Sequence, residues 1–491
     1  MPYLNIILVL SVPDHWCHIP GRENTNYTLE EWKNLTLPKE LDTRGRQSVS
    51  KCQMYNVSDY TIILNADENL RSYEKVTCQF GWEFDKTWYS ETAPSEGEWV
   101  CDKELYVSNA FAFGRIGDVI GTFIFGQLGD TIGRSPVFFI TLVTLIVGRC
   151  LSAFTVHNTA LFMFSILLGS LTSTAVFQAP VIIAMEICEE SKRAHIAMMQ
   201  CLGWTAAMCI MPFILWAYGH WFPFILTTTI PCILFLFSSR WMIESPRWLA
   251  SRGKTSQCIK QLERIAKVNG TTVPSDAMIT LRKKTEQTEN IYGVMSLFTN
   301  WRLAKNTLLL VVCWVVGALV YYVIVLSVNA LGGNPFMNFF YQGLAELPAN
   351  IIGRISSDRI GRRWTQVLAY FIGALACAPI GFFITDPGME AVTSGLAAFV
   401  KFCIAFVFYA CVLQTLEIYP TCVRQSGLSL GNITGSAFGI LGPYIVHLGT
   451  AFDARIPFLI CALLCLAGAK HWQMHKYLER NNHSGVYHRN L

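Results

Sequence analysis

The chain has 491 residues, 52% of them hydrophobic and only 15% charged, with a formal net charge of +4. Length alone predicts about three soluble domains. Composition excludes them, because apolar stretches long enough to span a bilayer recur throughout, and the chain reads as a polytopic α-helical membrane protein.

The first apolar run, Tyr3 to Val12, is about half a spanning helix long and ends at Pro13-Asp14. It lacks the basic start and small-residue cleavage site of a signal peptide. Residues 1–13 are expected to be a partial first transmembrane helix, left by a late start codon or an alternative isoform; a short interfacial piece is the alternative.

Residues 14–104 form a long polar loop with seventeen acids against ten bases. The loop holds Cys17, Cys52, Cys78 and Cys101, and glycosylation sequons at Asn26, Asn34 and Asn56. An even cysteine count outside the cell predicts two disulfides, with three connectivities open. The remaining cysteines read as small apolar packing residues.

Eleven spans follow, at 105–127, 137–155, 160–184, 196–217, 221–241, 306–328, 335–355, 364–384, 392–412, 427–448 and 455–473. The first five belong to an N-terminal bundle (105–241) and the last six to a C-terminal bundle (306–473). Residues 242–305 between them hold eleven Lys/Arg against five Asp/Glu and read as a cytoplasmic linker, with 474–491 as a cytoplasmic tail. With 128–136 placed inside, the short inner loops carry Arg134, Lys192, Arg193, Arg354, Arg359, Arg362, Arg363 and Arg424, and the short outer loops carry Arg455. That asymmetry orients the chain and puts 14–104 outside. Basic excess beside a membrane does not point to nucleic acid.

Two short patterns recur about half the chain apart. Gly126-Gln-Leu-Gly-Asp130-Thr-Ile-Gly133-Arg134 returns as Ser357-Asp358-Arg359-Ile-Gly361-Arg362-Arg363, 228 residues on. Glu186 and Arg193 return as Glu417 and Arg424, 231 residues on. A shared offset implies two homologous halves around a central site.

The first of these patterns resembles the loop between helices 2 and 3 of the major facilitator superfamily. Pro13-Asp14-His15-Trp16-Cys17, Cys78-Gln-Phe-Gly-Trp-Glu-Phe-Asp85, Glu98-Trp-Val-Cys-Asp102, Glu244-Ser-Pro-Arg-Trp-Leu249, Arg264-Ile-Ala-Lys-Val-Asn-Gly270 and Glu417-Ile-Tyr-Pro-Thr-Cys-Val-Arg424 resemble its organic cation, anion and carnitine transporter branch. The resemblance implies two six-helix bundles, the first helix incomplete here, that alternate access across the plasma membrane. Thr131 and Ser135 stand where the family usually has bases.

Charges at the inner helix ends can hold the two arrangements of such a carrier within a few kcal/mol. Asp130 with Arg134, Glu186 with Arg193, Asp358 with Arg359 and Arg362, and Glu417 with Arg424 are the candidate gating charges. A single charge at a helix end is usually a solvated cap; recurrence in both halves argues for more. Arg115 and Asp118 lie three apart inside a span, as a structural pair or as a substrate or coupling-ion contact. Glu346 and Lys401 also lie in spans without an evident role.

Small-residue faces at Gly117/Gly121 and at Gly431/Gly435/Gly439 allow close helix approach, and the resemblance implies that they slide against each other between the halves. Phe177, Gln178, Trp204, Tyr321, Tyr322, Tyr409 and Gln414 are expected to line the cavity, where aromatic faces suit an ammonium group. The family's cation carriers tend to hold an acid, and its anion and carnitine carriers a base, where this chain has Ser436. A neutral residue there favours a zwitterion or weakly charged amine: carnitine-like, β-alanine-like or a biogenic amine.

The reading is a multi-pass plasma-membrane carrier with a small organic cation or zwitterion as substrate, the lipid bilayer as surroundings and a monomeric functional unit. No cofactor is expected, and coupling to sodium or protons stays open. A non-transporting sensor with the same fold and an organic anion carrier are the alternatives. No P-loop, H-E-x-x-H or nucleophile elbow argues for an enzyme.

Overall fold

A computed structural model describes residues 4–57, 73–273, 294–419 and 424–473. The five-residue helix α1 (Asn5–Val9) precedes the loop region, and its Ile6, Leu8 and Val9 are buried. The first half then runs through α2 (Leu105–Ile132), α3 (Arg134–Phe154), α4 (Thr159–Leu171), α5 (Ser173–Ile187), α6 (Glu190–Tyr218) and α7 (Trp221–Thr229), which continues as a 3-10 helix over Ile230–Arg240. Two amphipathic helices, α8 (Pro246–Ser251) and α9 (Thr255–Val268), lie between the halves. The second half holds α10 (Trp301–Leu326), α11 (Pro335–Arg359), α12 (Arg362–Phe383), α13 (Glu390–Ile418), α14 (Arg424–Gly439), α15 (Gly442–Ala451) and α16 (Ile456–Gln473).

Helices cover all eleven expected spans, but three spans are not single α-helices. The span at 160–184 breaks into α4 and α5 at Thr172, and that at 427–448 breaks into α14 and α15 just before Pro443. The span at 221–241 tightens to 3-10 geometry where Pro231 removes a backbone donor. Among the described residues, seven helical stretches are long and apolar enough to cross a membrane. Helix α14, with 16 residues, is too short for that set, and α2 carries Arg115 and Asp118 within its apolar run.

Each copy of the repeated loop motif turns on its glycine. Gly133 ends α2 with φ of 112°, and Gly361 ends α11 with φ of 84°, backbone that a Cβ disfavours. Helix α3 therefore restarts at once, its first amides capped by Glu244, which accepts from Arg134 N at 3.1 Å and Ser135 N at 3.0 Å.

The glycine faces pack mainly inside their own halves. Gly117 and Gly121 seat α2 against α4, where an added Cβ would meet the carbonyl oxygens of Leu167 and Leu171. Gly431 and Gly435 seat α14 against Trp314 and Ala318 of α10. These contacts lie inside one half, whereas Gly439 faces Tyr322 of its own half and the Arg115 side chain of the other, where α14 packs on α2. Across the halves, α2 meets α14 and α15, and α6 meets α11, where Gly343 faces Met208.

The loop region has its own small core around Cys17, Trp32, Met54 and Tyr55. Of the three open connectivities, the disulfides are Cys17–Cys78 and Cys52–Cys101. The region is tied to both halves. Ser90 Oγ donates to Gly219 O, and Trp221 Nε1 donates to Glu96 at 2.7 Å. On the other side Arg44 donates to Ala330 O at 2.9 Å and Arg46 to Thr385 O at 2.7 Å.

Candidate functional site

Two charged clusters lie where the halves meet. The first starts on α2. Arg115 and Asp118 are one helical turn apart, their charged groups 3.7 Å from each other, and Asp118 is buried. Three other helices then satisfy the pair. Arg115 donates to the Tyr322 hydroxyl at 2.6 Å, and its guanidinium lies 3.8 Å over that ring. Asp118 accepts from Thr174 of α5 and, at 3.2 Å, from Ser436 of α14. A charge in a span is tolerable because partners on both halves replace water.

The second cluster belongs to the second half. Lys401 of α13 is fully buried, its ammonium 3.2 Å from the Glu346 carboxylate of α11. Tyr321 donates to the same carboxylate oxygen at 2.9 Å, and the Lys401 ammonium lies over the Tyr321 ring. Tyr321 also hydrogen-bonds Trp204 of the first half. Rings of Tyr321 and Tyr322, 5.6 Å apart, link the clusters. Neighbours on one helix thus serve two separate ion pairs.

Sequence reasoning missed Arg149. It lies on α3, is 1% exposed, and donates to Ser170 Oγ of α4 at 3.3 Å. Gly148 lets α3 cross α4 closely at Gly169, which buries the neighbouring guanidinium. The signal was available: Arg149 is an ionisable residue inside an otherwise apolar span, the same criterion that picked out Arg115. Glu346 and Lys401 stand out singly in the sequence but not as a pair, since 55 residues and one intervening helix, α12, separate them.

Among the expected cavity residues, Phe177 and Trp204 meet edge-on at 5.4 Å, and Trp204 reaches Tyr321. Tyr409 lies lower on α13 against Gly353, near Arg354 and Asp358. Gln414 is buried beside it in sequence, and Gln178 is half-buried. The Gln414 side-chain oxygen has no hydrogen-bond partner among the described residues.

The gating charges form the same figure in both halves. Arg134 lies 3.1 Å from Asp130 and 3.7 Å from Glu186. Arg362, at the matching position, lies 3.5 Å from Asp358 and 2.9 Å from Glu417. The acids of the second pattern therefore meet the arginines of the first. Each figure lies within one half, so it braces the ends of three helices and does not bridge the gap between halves. Arg359 has no ion pair among the described residues; the side chains of Arg193 and Arg424 lie outside them. Asn26, Asn34 and Asn56 are all exposed on the loop region.

A small, partly open cavity of about 30 Å³ lies beside the first cluster, lined by Arg115, Arg149, Ser170 and Tyr322 among apolar neighbours. A far larger space, about 1060 Å³, is an open apolar groove between α11 and α13. It holds none of the clustered charges.

Residues 65–469 match the family model described as sugar (and other) transporter. The chain is 28% identical to the beta-alanine transporter of Drosophila melanogaster, over 94% of this chain and 79% of that one. It is 28% identical to organic cation transporter 1 of Caenorhabditis elegans, over 94% and 78%. It is 26% identical to organic cation/carnitine transporter 2 of Homo sapiens, over 95% and 84%. Among solved structures, a partially occluded inward-open conformation of the xylose transporter XylE from E. coli superposes with a TM-score of 0.59, at 16% identity over 83% of this chain and 91% of that one. The fold is shared with that structure.

Proposed function

Because this chain belongs to the sugar (and other) transporter family and has the major facilitator fold, we propose that it carries a small organic cation or zwitterion across the plasma membrane by alternating access. The family is one of transporters, not of enzymes. The names of its relatives support an amine-bearing substrate. The loop region faces outward in this reading, in keeping with its two disulfides and exposed sequon asparagines.

The observation that carries the substrate class is the pairing of opposite charges where the halves meet. Arg115 faces Asp118, and Lys401 faces Glu346. A site with one acid and one base per cluster offers a partner to each end of a zwitterion and no unpaired acid to a dication. The ammonium end would meet Glu346 and the rings of Tyr321 and Trp204; the carboxylate end would meet the guanidinium side. Either acid could carry a coupling proton or sodium ion, and no cofactor enters.

Uptake of radiolabelled β-alanine, carnitine and tetraethylammonium into cells expressing the full chain tests this. Saturable uptake of β-alanine or carnitine above tetraethylammonium supports the zwitterion reading, and the reverse order refutes it. No uptake of any compound despite surface expression refutes the carrier.

A further inference from the structure

We infer that the cavity between Arg115 and Arg149 is a binding subsite for a small monovalent anionic group. The inference deepens the zwitterion reading, and rests on it for the claim that the group can be a substrate carboxylate. The lining of the cavity contains two guanidinium groups and no carboxylate; its other polar members are Ser170 and Tyr322. Asp118, the acid paired with Arg115, lies outside that lining and is already engaged by Thr174 and Ser436. Guanidinium forks are the side chains best suited to a carboxylate, and two of them concentrate positive potential in a space walled by Ile6, Ala110, Ile166 and Val325.

The volume narrows the ligand. About 30 Å³ exceeds what a single water needs, so it admits a chloride ion or a carboxylate end, but no bulky anion. The walls come from both halves: Arg115, Arg149 and Ser170 from the first, Tyr322, Gly439 and Pro443 from the second. An anion held there would therefore touch both halves and bias the arrangement in which they meet at this level.

The test is a binding measurement on the purified full chain in detergent. Thermal midpoints are recorded in sodium gluconate, an anion too large for the cavity, and again with added chloride, propionate, β-alanine or propylamine. A ligand that binds the folded and not the unfolded chain raises the midpoint, by an amount that grows with the logarithm of its concentration above Kd. We expect a rise of several degrees with at least one of the small anions or β-alanine, none with propylamine, and loss of the rise in both Arg149→Met and Arg115→Gln. A rise with chloride alone assigns a free ion; a rise with propionate and β-alanine assigns the carboxylate end of a substrate. Two variants guard against one failing to fold. No rise with any small anion, or a rise unchanged in the variants, overturns the proposal. Absent uptake would refute the carrier reading and leave this binding result standing.

Discussion

Ser436 donates its hydroxyl to the Asp118 carboxylate across 3.2 Å, joining α14 of the second half to α2 of the first. The acid that the family's cation carriers tend to place on the Ser436 helix is thus met here from the opposite side of the interface, already balanced by Arg115.

This contact predicts a positional exchange. Ser436→Asp alone sets two carboxylates within hydrogen-bond distance, and one must stay protonated. We expect its uptake to fall at least tenfold. The exchange Asp118→Ser with Ser436→Asp returns a single acid to the same place and should recover most of the loss. Uptake of the two variants, scaled to surface protein, checks this.

The buried Glu346–Lys401 pair predicts strong coupling. Removing either partner leaves a charge in a dry site, costing about 3–5 kcal/mol. Glu346→Gln and Lys401→Met should each lower the melting temperature of the purified chain. The double variant should be closer to wild type than the two losses added together. Additive losses would mean that the groups act independently.

The two turn glycines differ in a testable way. Alanine at either position must adopt backbone that L residues rarely take, a cost of about 1–3 kcal/mol. At Gly361 an added Cβ meets nothing within 4 Å, whereas at Gly133 it would lie 2.4 Å from the Glu244 carboxylate that caps α3. Gly133→Ala should therefore destabilise more than Gly361→Ala, read as melting temperature or as folded yield.

The disulfide pairing predicts its own map. Cys17–Cys78 and Cys52–Cys101 close loops of 61 and 49 residues, each worth about 4 kcal/mol on chain-entropy grounds. Peptide mapping without reduction should find these two links and no others in the loop region. Cys52→Ser should lower surface expression as far as Cys101→Ser does, and the double variant no further.

The sequence made the helical spans and the two-half organisation legible, because a twenty-residue apolar run and a repeat at fixed offset survive in one dimension. It also marked Arg115, Asp118, Glu346 and Lys401, since a charge in an apolar run stands out wherever it folds. Their partners were not legible. Tyr322, Thr174 and Ser436 reach the Arg115–Asp118 pair from three other helices, and no spacing encodes that meeting. Likewise Glu186 meets Arg134 and Glu417 meets Arg362, although each acid's nearer repeat partner in sequence lies seven residues on. The glycine faces were visible but not their direction, because a G-x-x-x-G face says that something approaches and not from which half.

The central claim, that the chain alternates access around a neutral pair of charged clusters, is tested most directly by counterflow in proteoliposomes. Vesicles holding the purified chain are preloaded with unlabelled β-alanine or carnitine, and labelled substrate is added outside. The account predicts a transient accumulation of label above equilibrium, present in wild type and absent in Glu346→Gln. Label that never exceeds equilibrium in wild type, or an overshoot untouched by that substitution, would contradict it.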